Sequence, residues 1–74
     1  MASFAELDSG TQLLIQALNE FIANTDVFLR DSSPEGLFPF LQQAVSLLSG
    51  FIGSNQQSLD VANQITVLNN SLSQ

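Results

Sequence analysis

Apolar residues recur every seven positions from Leu14 to Leu29, with steps of three and four inside each repeat, and a second frame of this kind runs from Leu41 to Leu72. That spacing lines one face of a helix, whereas a half-buried strand would need strict alternation. The chain is therefore expected to be all-α. The first frame holds Leu14, Ile15, Leu18, Phe21, Ile22, Phe28 and Leu29, with Thr25 among them. Gln12, Gln16, Asn19, Glu20, Ala23 and Asp26 take the opposite side, with Val27 an apolar residue between them. A helix of roughly 20 residues starting near Thr11 would be about 30 Å long. Residues 1–10 keep no period and contain Ser3, Ser9 and Gly10. They are expected to form a flexible N-terminal arm, with Phe4 and Leu7 able to dock, ahead of one helical domain over residues 11–74.

The two frames are separated by Arg30-Asp-Ser-Ser-Pro-Glu-Gly. Ser32 with Glu35 three residues on has capping-box spacing, and Pro34 suits a first helical turn, where its missing N–H costs nothing. Ser32, Ser33, Pro34 and Glu35 are thus read as a hairpin turn. Pro39 disfavours helical geometry at Phe38 and would clash with the Glu35 carbonyl, which predicts an irregular stretch through Leu37 and a regular helix from about Pro39. The second frame, Leu41, Ala44, Val45, Leu48, Phe51 and Ile52, continues through Asn55, Ser58 and Leu59 to Ala62, Ile65, Asn69 and Leu72. Gly50, Gly53 and the capping-box spacing of Ser54 with Gln57 argue for a break. The unshifted frame argues for continuity, because two glycines cost only about 1 kcal/mol each. The favoured fold is an antiparallel helical hairpin about a proline-containing turn, and the alternative is a short three-helix bundle.

The surface of the second half is unusual. After Glu35 the only charged side chain is Asp60, and the chain as a whole is 11% charged, against about a quarter in ordinary domains. Uncharged groups cost far less to desolvate than ions, so this half looks made to be covered. A second apolar row, Leu47, Val61 and Leu68, flanks the first. A two-helix hairpin buries one stripe per helix, so this row, with Asn55 and Leu72, is read as a subunit interface in which Asn55, Ser58 and Asn69 would fix register between copies. In a three-helix bundle the same residues would instead be core.

Composition excludes much chemistry. The chain of 74 residues has no Cys, His, Lys, Tyr or Trp, and a net charge of −6. No nucleophile has an obvious base, no zinc site has ligands, and no catalytic residue or cofactor is expected. Asp26, Asp31 and Glu35 lack calcium-loop spacing, and Asp26 with Arg30 has the spacing of a surface ion pair. A chain with one arginine cannot neutralise nucleic-acid phosphates. The stretch Leu37 to Ile52 is interrupted by Pro39, Gln42, Gln43, Ser46, Ser49 and Gly50, so membrane insertion is not expected. The N-terminus lacks the basic and apolar regions of a secretory signal.

Asp8-Ser-Gly-Thr-Gln opening a first helix, a turn with Ser33-Pro34-Glu35, and a long second helix carrying Gln42-Gln43, Ser46, Ser49, Asn55 and Ser58 together resemble the needle-filament proteins of bacterial type III secretion systems. The likeness spans roughly residues 8–74. The chain departs from that family in having no lysine or tyrosine in the second helix. The resemblance implies export without a cleaved signal, an export chaperone before assembly, and subunits stacked helically around a lumen at the cell surface. The expected function is that of a self-assembling subunit of an extracellular filament. The alternatives are a cytoplasmic adaptor or chaperone-like module for a partner helix, and a carrier of apolar ligands lined by Phe21, Phe28, Phe38, Phe40 and Phe51.

Overall fold

Asp8 starts the first helix. Its side chain accepts a hydrogen bond from the Thr11 backbone N–H at 2.7 Å, satisfying one of the donors a helix start leaves free. Helix α1 (Ser9–Asp31) follows, in a computed structural model that describes residues 3–53 and 56–74. The preceding arm is turned back as a single 3-10 turn over Phe4–Glu6. The Gln12 side chain holds it there, donating to the carbonyls of Phe4 at 3.2 Å and Leu7 at 3.0 Å. The remaining helices are α2 (Pro34–Gly53) and α3 (Ser58–Leu72), and no strand occurs among the described residues.

The turn falls at Ser32 and Ser33, with Pro34 as the first residue of α2. Pro39, however, sits inside α2 rather than ahead of it. It lies in the second turn, removes a single backbone donor, and is solvent-exposed together with Glu35, so the carbonyl it deprives of a partner can be hydrated.

The second frame does not form one helix. α2 ends at Gly53 and α3 begins at Ser58, while the Ser54 half of the expected capping box lies outside the described residues. The favoured hairpin to the C-terminus is thus replaced by three helices, with α3 packed along α1 and more narrowly against α2. Energetics account for the break. Val61, Ile65, Leu68 and Leu72 would lie bare on a continuous second helix, and folding α3 back buries all four, each worth about 1.5–3 kcal/mol. That gain outweighs the few helical hydrogen bonds given up at a point already weakened by Gly50 and Gly53.

Val61 and Ile65 are 0% exposed and form the centre of the core. They pack with Leu14, Ala17 and Ala62, against which Leu18, Leu47 and Phe51 also lie. Towards the α1–α2 turn a second cluster joins Phe21, Leu37, Ala44, Leu68 and Leu72 to Phe28 and Phe40. The rings of Phe28 and Phe40 are 6.3 Å apart and tilted by 58°, within the range of favourable aromatic pairs.

Polar contacts set how α3 lies along α1. Thr11 Oγ1 donates to Ser58 Oγ at 3.2 Å near one end. Further along, Asn69 Nδ2 donates to the Ala17 carbonyl at 3.0 Å while its Oδ1 accepts from Asn24 Nδ2 at 3.3 Å. Low-numbered residues of α1 therefore meet low-numbered residues of α3, and the two helices run parallel with α2 antiparallel to both.

Candidate self-association surface

Helix α2 carries two apolar rows one residue out of step. Leu37, Phe40, Ala44, Leu47 and Phe51 recur at three and four and belong to the core clusters. Phe38, Leu41, Val45, Leu48 and Ile52 repeat the same spacing one position later, which turns them by about 100° around the helix. Four of these five are exposed, Val45 at 63% and Ile52 at 84%, and Leu48 is half-buried. No charged residue interrupts the chain between Glu35 and Asp60.

Helix α1 has a matching row. Its core residues Leu14, Phe21 and Phe28 are each followed by an aliphatic residue, Ile15, Ile22 and Leu29. Ile22 is 65% exposed, Leu29 is exposed and Ile15 is half-buried.

The grooves beside α3 show where these rows point. The groove between α1 and α3 is lined on the α1 side by Leu13, Gln16 and Glu20, and that between α2 and α3 is lined on the α2 side by Gln43, Ser46 and Leu47. In both helices the residues flanking α3 precede the core row by one position and the outer row follows it by one. Because α1 and α2 are antiparallel, the two outer rows rotate towards each other. They lie on the side of α1 and α2 away from α3 and make an apolar face of two rows, with α1 approaching α2 less closely than either approaches α3. The Phe28 ring reaches both Phe40 and the Gly36 position, which sets Ile22 and Val45 at similar heights, within about one helical turn, near the middle of that face.

The interface residues expected from the sequence are placed elsewhere. Val61, Leu68 and Leu72 are buried within the chain itself, and Leu47 is half-buried against the core. These four are corrected to internal packing, because α3 turns back and consumes the row a continuous helix would have displayed. Asn55 lies outside the described residues. Asn69 and Ser58 fix register between α1 and α3 rather than between copies. Conversely Leu41, Val45, Leu48 and Ile52, expected in the internal stripe, are the outer row. The signal that could have separated the rows is the doubled heptad itself: 37, 40, 44, 47 and 51 beside 38, 41, 45, 48 and 52.

Electrostatics leave the face nearly neutral. Glu20 points into the α1–α3 groove, and the charges that border the face are Asp26, Arg30 and Glu35 at its edges. Arg30 forms no ion pair among the described residues, so the expected pairing with Asp26 is not made. Among those residues no cluster of acids could hold a metal ion. α2 is long and apolar enough, by length and composition alone, to cross a membrane. Comparison of the chain with protein-family models, with curated proteins and with solved structures finds no match.

Proposed function

We propose that this protein is a self-assembling structural subunit, whose work is to bind other copies of itself through the apolar α1–α2 face. The observation that carries the reading is the outer row of α2, a heptad seam exposed on a helix with no charge after Glu35. A row of large aliphatic side chains in water favours association, and the absence of lysine and glutamate along it removes the usual means of keeping copies apart. A filament of the kind the sequence resembles needs a second, non-equivalent patch, since only contacts that do not close propagate. The groove between α2 and α3 offers one, with Val67 66% exposed on its α3 wall. A small chain without disulfides gains stability by such assembly.

Sedimentation velocity over a concentration series, with negative-stain electron microscopy of the same samples, tests this. Oligomers that grow with concentration are expected, and thin uniform filaments would support the needle-like form. A single monomeric boundary at every concentration would sink the reading.

A further inference from the structure

We infer that the occupant of the α1–α2 face is a second copy of this chain, related by a two-fold axis parallel to the helices, so that α1 of each copy lies on α2 of the other. This rests on the self-assembly reading and adds the partner's orientation. The molecule's principal extents of 38 × 25 × 20 Å give it a broad side comparable to the roughly 800 Å² per partner of a standard interface.

Two arrangements cover both apolar rows. In one, the copies point the same way and α1 faces α2 of the second copy. In the other, the second copy is turned end for end, and like helices face each other. Both bring apolar residues together, so the charged rim decides. Arg30 follows Leu29 on the outer edge of α1, and Glu35 lies one turn before Phe38 on the equivalent outer edge of α2. Because the Phe28 ring reaches both Phe40 and the Gly36 position, Arg30 lies within about one turn of Glu35 in height. With copies pointing the same way, Arg30 of each therefore meets Glu35 of the other across the rim, twice by symmetry. With one copy reversed, Arg30 instead comes level with Leu14, beside Gln12 and Gln16, where the nearby carboxylates, Glu6 and Asp8, are already engaged by the Ser3 and Thr11 backbone N–H groups. Arg30 is the chain's sole basic side chain and has no ion pair among the described residues of its own copy, so only the first arrangement employs it. The four helices at the interface would each be antiparallel to their neighbours, as in an up-down-up-down bundle.

The inference makes an asymmetric prediction for charge exchange. Arg30→Glu alone, or Glu35→Arg alone, gives like charges at both rim contacts of its own pair and should weaken self-association by about tenfold. Mixing the two variants restores opposite charges at both contacts, so a mixed pair should form with affinity near that of the unaltered chain. Sedimentation equilibrium of each variant and of the one-to-one mixture measures this, with circular dichroism establishing that both stay helical. An independent readout uses the absence of cysteine: Ile22→Cys mixed with Val45→Cys should cross-link to a mixed disulfide under mild oxidation. A mixture no tighter than either variant, or Ile22→Cys linking to itself instead, would overturn the orientation while leaving self-assembly standing. An unaltered chain that stays monomeric overturns both.

Discussion

Asn69 of α3, 3% exposed, donates its side-chain amide to the backbone carbonyl of Ala17 in α1 at 3.0 Å, across the core. The carbonyl has a second lone pair to give, and Asn24 supplies the amide that Asn69 Oδ1 accepts. A buried amide is tolerable only when so satisfied, and sliding α3 by one turn would strand it. Asn69→Ala should therefore lower stability by about 1–3 kcal/mol, read as a reduced midpoint in urea. Asn69→Asp should be more damaging at pH 7 than at pH 4. A carboxylate buried against a carbonyl oxygen is disfavoured in its charged form, and only the protonated form can donate to Ala17.

Val61 and Leu68 distinguish core from contact surface directly. Both are buried in the single chain, so Val61→Glu with Leu68→Glu should abolish the helical circular dichroism signal. Burying two unpaired carboxylates costs more than a domain of this size holds in reserve, about 3–5 kcal/mol. A variant that stayed helical and merely lost assembly would return these residues to a subunit interface.

The class of fold was legible because heptad spacing depends only on helix geometry, and α1 and the Ser32–Ser33 turn follow from it together with Pro34. The break before Ser58 was not legible. Helix continuity is a local property, and what ends α2 is the burial that Val61, Ile65 and Leu72 gain against Leu14 and Phe21, residues some 40 to 50 positions away in sequence. For the same reason the outer row was hidden among core residues. Periodicity shows that Leu41, Val45 and Ile52 share a face, but which of two neighbouring faces is covered depends on where α3 goes.

Glycine substitutions should separate two kinds of position. A Cβ at Gly10 would lie 3.0 Å from the Leu59 backbone nitrogen, a tight approach to backbone, so a side chain there would press the start of α1 away from the start of α3. At Gly53 a Cβ meets nothing within 4 Å among the described residues. Gly10→Ala should lower the melting temperature by forcing α1 from α3, whereas Gly53→Ala should raise it, by up to about 1 kcal/mol in stability, through helix propensity. Paired thermal melts check both signs.

Asp8 adds a pH dependence in acid. The hydrogen bond from the Thr11 backbone N–H, above all, holds its carboxyl below the usual carboxylate value. A carboxyl with a depressed folded pKa stabilises above its unfolded pKa, and that contribution is lost as pH falls through the folded pKa. The cap should therefore be intact at neutral pH and fade on acidification below the ordinary aspartate range. Asp8→Asn keeps an acceptor for the Thr11 N–H and should flatten that part of the melting-temperature profile, while Asp8→Ala should lower it at neutral pH as well.

Val45 and Ile52 carry the largest consequence for assembly. Both are exposed on α2 and outside the core clusters, so Val45→Lys with Ile52→Lys should leave helicity and melting behaviour of the monomer close to unchanged. In a face-to-face pair the new ammonium groups would be desolvated without partners, a penalty of several kcal/mol if they cannot escape to the rim. Self-association should fall by at least a hundredfold, moving the sedimentation boundary to the monomer. Anionic vesicles provide the control for the other surface an apolar helix can meet. Lysines attract such lipid, so a membrane-bound face would bind vesicles more tightly after the double substitution. A self-association face loses its partner, and the opposite responses tell the two apart.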